Sequence, residues 1–195
     1  RHAPQDRFPA AVDDALVALR WVADNAAALG GDPNRLAVAG WSAGGNQAAV
    51  VSQLARDAGG PAIGAQLLLT PVTDFDLSRP SYNENADGYV LTRPLMEWFA
   101  DHYVDAADRA DPRAAPLRAA SLADLPPAIV VTAQLDPLRD EGFAYAEAMA
   151  AAGVAVEHIR AKGHTHTSLT MIDVVASGVP VREQMAESLR KLWAG

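Results

Sequence analysis

Leu36-Ala37-Val38-Ala39-Gly40-Trp41-Ser42-Ala43-Gly44-Gly45 sets a Gly-x-Ser-x-Gly element directly behind a short apolar run and ahead of residues that fit a helix. Its position matters more than its pattern. Four apolar residues bounded by Asp32-Pro33-Asn34 and by Gly40 read as a strand covered on both faces. A serine at the sharp turn from such a strand into a helix is strained, and it stands clear of the sheet with its hydroxyl exposed. Gly40 and Gly44 are expected where any Cβ would strike the neighbouring strand or helix.

Upstream, residues 8–29 carry Val12, Leu16, Leu19 and Ala23 at the spacing of one helical face, with Pro9 suited to the first turn and Gly30-Gly31 to the stop. Downstream, apolar runs at 63–69, 128–132 and 154–159 alternate with helical segments near 45–57 and 141–152. This rhythm predicts the α/β class, a mostly parallel sheet flanked by helices and closed by an amphipathic helix from about Val181 to Trp193. Residues 71–127 are too long for an ordinary connection and read as an insertion that shapes a substrate pocket. Within it, 94–103 spells a short helix with Met96, Trp98, Phe99 and Tyr103, which either floor that pocket or simply cover the sheet.

The chain of 195 residues, 50% hydrophobic, fits one domain with a substantial core. A formal net charge of -8 argues against nucleic acid, since no surplus of Lys or Arg is present to replace counterions along a phosphate backbone. Without cysteine there are no disulfides and no thiolate ligands, and the cytoplasm is the default location. No apolar run is long enough to cross a bilayer, and no membrane association is expected. The opening on Arg1, straight into the loop-like RHAPQDRFPAA, raises the expectation of an upstream part.

A serine hydroxyl needs a base, and the base needs an orienting carboxylate, in the chain order serine, acid, histidine for a strand-turn-helix nucleophile. Asp136 lies just past the run ending at Thr132, and Pro137 holds it extended. Its rivals Asp140 and Glu141 fall where the next helix begins, where a carboxylate is most simply a cap. Of five histidines, only His164 and His166 follow the final strand in a loop, Gly163-His164-Thr165-His166-Thr167, while His102 and His158 read as structural. The i, i+2 pair lacks a third ligand at recognisable spacing, so no metal is expected.

Several of these segments together resemble the hormone-sensitive-lipase-like (family IV) bacterial carboxylesterases of the α/β-hydrolase fold: RHAPQDRFPAAVDDA, GWSAGG, TPVTDFD, DGYVLT, DPLRDEG and the Gly-x-x-His of Gly163 to His166. The resemblance covers the whole chain and favours His166 over His164 as the base. It implies hydrolysis of short-chain acyl esters, without cofactor or metal, by Ser42, Asp136 and His166, with the Ala43 backbone N–H receiving the oxyanion. The substrate side is expected to draw on Trp98 and on the Tyr89-Val90 step of DGYVLT. An amidase or formamidase using the same triad, and a non-catalytic ligand-binding homologue, are the alternatives.

The sequence departs from the family's pattern at Trp41, where Asp or Thr is usual, and at Thr167-Ser168, where Gly-Phe is common. In the family, further strands and a His-Gly-Gly-Gly oxyanion loop precede the residues that open this chain. The fold is therefore expected to be truncated to its C-terminal strands and helices, with an N-terminal segment as a complementing partner. A homodimer is also expected, paired through an edge strand at Val154-Ala155-Val156.

Overall fold

The computed structural model describes residues 1–194. Its strands are β1 (Ala37–Trp41), β2 (Ala65–Leu69), β3 (Ala128–Leu135) and β4 (Val156–Thr165). The helices are α1 (Ala10–Asn25), α2 (Ala43–Asp57), α3 (Pro80–Glu84), α4 (Arg93–Tyr103), α5 (Arg139–Ala151) and α6 (Val179–Ala194). The four strands form one parallel sheet in the order β1-β2-β3-β4, with Gly40 opposite Leu68, Leu68 opposite Val130 and Val131 opposite Ile159. Every strand therefore ends on the same side, and that shared end is where the loops carrying Ser42, Asp136 and His166 emerge.

Helices cover both faces, as the strand-helix rhythm implies. On one face Ala48 and Ala49 of α2 and Tyr145, Ala146 and Met149 of α5 pack against Leu68, Ala128 and Val130. On the other, Val181, Met185 and Leu189 of α6 close over Ile129, Val131, Ile159 and Ala161. The period of α1 holds, with Val12 and Leu19 buried, and the chain leaves through a short 3-10 turn at Ala27–Leu29 into Gly30, whose φ of 80° suits only glycine well.

Two sequence expectations change. The apolar run 36–39 predicts a strand covered on both faces, but β1 buries only one: Ala37, Ala39 and Trp41 are exposed, while Val38 and Gly40 face α2. The reason is that α6 packs mainly over β3 and β4, and among the described residues no strand pairs with the side of β1 away from β2. The edge strand placed at 154–156 starts only at Val156 and runs to Thr165, because Val154 is still tied to the end of α5, its N–H donating to the Met149 carbonyl at 3.1 Å.

The insertion at 71–127 is ordered by a small core in which its Val72, Tyr82, Leu91 and Met96 pack on Leu138, just ahead of α5. A buried amide ties two distant points of it to α2, since Asn46 Nδ2 donates to the carbonyls of Val72 (2.9 Å) and Ala114 (2.8 Å). In α4, Met96 and Ala100 turn inward, whereas Trp98 and Phe99 remain outside.

Candidate active site

Ser42 joins β1 to α2 with φ 56° and ψ -117°, a conformation that costs a non-glycine residue about 1–3 kcal/mol. Main-chain bonds hold it there: its N–H donates to the Leu69 carbonyl (2.9 Å), and its carbonyl accepts from Asn46 (3.0 Å) and Val72 (3.3 Å). The glycine expectation is half corrected. A Cβ on Gly40 would fall on the Gly44 carbonyl, as expected, but one on Gly44 would meet nothing within 4 Å. The second tight position is Gly45, whose Cβ would lie 2.9 Å from Pro71, because α2 turns that residue and not its predecessor toward the insertion.

Asp136 and His166 come to this serine from the ends of β3 and β4. His166 Nε2 lies 2.9 Å from Ser42 Oγ, and its Nδ1 lies 2.8 Å from Asp136 Oδ2. With the neutral imidazole protonated on Nδ1, the ring donates to the carboxylate and accepts from the serine hydroxyl. Asp136 is fully buried, and its second oxygen accepts the Leu138 N–H at 2.9 Å, so both carboxylate oxygens are occupied.

The rival residues have other partners. Asp140 accepts from the Ser81 N–H (2.8 Å) and pairs with Arg139, fastening the acid loop to α3. Glu141 is wholly buried: Oε1 accepts from the N–H groups of Thr73 (2.8 Å) and Asp74 (3.3 Å), and Oε2 accepts from the Tyr82 hydroxyl (2.9 Å). Burial outweighs these donors and pushes its carboxyl up to about 8. His164 braces the histidine loop through the Ser168 hydroxyl (2.9 Å) and the Ser177 carbonyl (3.2 Å). His102 caps a turn of α4 at the Trp98 carbonyl, and His158 meets Thr132 Oγ1, held below the ordinary histidine range by burial and by Arg160.

As the first residue of α2, Ala43 has an N–H with no acceptor four residues back, at the positive end of the helix dipole. Trp98 and Tyr89 are not drawn in. Trp98 is 51% exposed and stacks on His102, and among the described residues no hydrogen bond or ring contact links either one to the triad. A cavity of about 410 Å³ between α5 and β4, lined by Gln134, Phe143, His158 and Arg160, includes none of the three residues either. Sequence reasoning missed Asn46, Ser81 and Asn85 as anchors of the site. Asn85 donates to the Asp136 carbonyl across 51 positions of chain, a link that no local pattern signals.

A serine on this turn, a buried Asp-His pair and strand ends on one side recur in known proteins. The family model described as the alpha/beta hydrolase fold matches residues 1–170. The chain belongs to this family. As an α/β hydrolase it is 53% identical over 161 residues to the carboxylesterase NlhH of Mycobacterium tuberculosis, covering 80% of this chain and 50% of that protein. It is 40% identical over 195 residues to an ethyl acetate hydrolase of Pseudomonas putida, covering 98% of this chain and 61% of that one. Among solved structures, the thermophilic carboxylesterase EstE1 from a metagenomic library superimposes with a TM-score of 0.94 at 43% identity, over 98% of this chain and 66% of EstE1.

The resemblance to hormone-sensitive-lipase-like carboxylesterases thus holds. This α/β hydrolase spans only half to about three fifths of the length of the two curated relatives. No helix among its described residues is long and apolar enough to cross a membrane.

Proposed function

We propose that the chain supplies the catalytic centre of an esterase that cleaves short-chain carboxylic esters through an acyl-enzyme on Ser42. The observation that carries this reading is the unbroken line from Ser42 Oγ through His166 to Asp136, at 2.9 and 2.8 Å. His166 Nε2 takes the hydroxyl proton as Ser42 Oγ attacks the ester carbonyl, and the oxyanion develops toward the Ala43 N–H. The imidazolium, held by Asp136, then protonates the leaving alcohol. Water, deprotonated by the same histidine, releases the acid and restores the serine. This route needs neither metal nor cofactor. The names of two relatives, a carboxylesterase and an ethyl acetate hydrolase, support the ester class and the short acyl chain.

The open edge of β1 and the exposed Val17 and Trp21 on α1 support a second part of the proposal. A complementing segment pairs there as a further strand and brings oxyanion donors to stand beside Ala43.

Covalent labelling by a fluorophosphonate, with hydrolysis of p-nitrophenyl acetate, butyrate and palmitate, tests the first part. Labelling that is lost in Ser42→Ala, and turnover that falls with acyl length, are expected. Equal labelling of the Ser42→Ala protein refutes the nucleophile.

A further inference from the structure

Trp41 stands next to the nucleophile, where the resembled family usually carries Asp or Thr, and neither the fold nor the proton relay described above uses its side chain. It leaves the end of β1 on the same face as Ala37 and Ala39, away from α2. The loop bearing His166 has to return from β4, at the opposite edge of the sheet, to reach Ser42, and it meets the indole on the way. Trp41 Nε1–H donates to the His166 carbonyl at 3.1 Å, and the two ring centroids lie 5.2 Å apart at a tilt of 36°. Trp41 is 39% exposed and His166 only 3%, so the indole forms the outer layer over the imidazole.

The ring bonds to Ser42 and Asp136 fix the plane of the imidazole but do not hold its main chain. His164 and Ser168 brace the loop on either side, and the Ser168 hydroxyl also meets the Thr165 N–H and carbonyl, each at 3.0 Å. At position 166 itself, Trp41 is the carbonyl's one donor among the described residues. Resting on the triad reading above, we propose that Trp41 is a positioning residue for the base: it pins the His166 main chain and so keeps Nε2 within reach of the Ser42 hydroxyl. A displacement of the base by about 1 Å is enough to cost on the order of 100-fold in rate, so a partial loosening carries a measurable penalty.

The test compares the parent with Trp41→Phe, which keeps an aromatic ring and removes the N–H. About a 10-fold fall in kcat is expected, with KM within about twofold and fluorophosphonate labelling slowed in proportion, because the loss is in the relay and not in substrate binding. A proton spectrum gives an independent reading: the far-downfield resonance of His166 Nδ1–H, hydrogen-bonded to Asp136, broadens in the variant. That signal needs no turnover, so it separates failure of this inference from failure of the esterase reading. If Trp41→Phe does not fold, the benzothiophene analogue of tryptophan at position 41, with sulfur in place of N–H at unchanged shape, carries the same comparison. A folded variant with the parent's resonance and kcat, or a loss confined to KM, overturns the proposal.

Discussion

Replacing Glu141 by Gln isolates the energetic consequence of a carboxyl that no water reaches. Glutamine keeps the shape: its oxygen still accepts from Thr73 and Asp74, and its amide can donate to the Tyr82 oxygen in place of the present reversed bond. Apart from that reversal, only the titration is lost. In the folded parent, burial holds the Glu141 carboxyl at about 8, against 4.5 ordinarily. Between those two values the folded state keeps a proton that the unfolded chain has released. Because the unfolded state then binds fewer protons, stability falls as pH rises through this window and levels off above it.

The gap of about 3.5 in pKa corresponds to roughly 3–5 kcal/mol across the window. Urea unfolding of parent and Glu141→Gln at several values from pH 5 to 8.5 measures this directly, since every other titrating group cancels in the difference. The parent should lose several kcal/mol relative to the variant over that range. A difference that stays constant with pH refutes the reasoning and shows that the Thr73, Asp74 and Tyr82 donors offset the burial of this carboxyl.

Asp136→Asn leaves the fold intact but favours the wrong tautomer of His166, so kcat should fall about 10³- to 10⁴-fold with melting little changed; a loss below tenfold removes Asp136 from the relay. Gly40→Ala should destabilise by about 3 kcal/mol or more, whereas Gly44→Ala should stay within about 1 kcal/mol, and equal melting temperatures for the two contradict the packing described at the elbow. Adding in trans the part of the Mycobacterium tuberculosis relative that lies outside the match should raise kcat by about 10²-fold or more through added oxyanion donors. Unchanged rates after demonstrated binding show that such a segment is dispensable. Pairing of copies through the outer edge of β4 should appear in sedimentation as a dimer at micromolar concentration, and a monomer throughout ends that proposal.

The parts legible in the sequence are those governed by short-range pattern. The parallel sheet follows from apolar runs separated by helical periods, and Ser42, Asp136 and His166 were placed by their positions after strands; the structure brings all three together. What stayed hidden depends on partners distant in the chain. The exposure of Ala37 and Ala39 cannot be read from a wholly apolar run, because it is set by α6 packing mainly over β3 and β4. The Gly-x-Ser-x-Gly spacing names Gly44, while the close approach is made at Gly45 by Pro71 from a different segment. Glu141 had the look of a helix cap, and only the fold reveals that it faces inward to Thr73 and Tyr82.

The three residues of the relay hang from the ends of β1, β3 and β4, and the bond between Ser42 and His166 closes 124 positions of chain. No subset of adjacent elements contains them all. Local helix formation in α2 or α5 takes microseconds, but assembling every strand of a parallel sheet in register must first overcome the entropy of long loops. During refolding, reactivity toward a fluorophosphonate should therefore lag behind the recovery of helical circular dichroism. Reactivity would then act as a chemical clock that marks the moment the opposite edges of the sheet are joined.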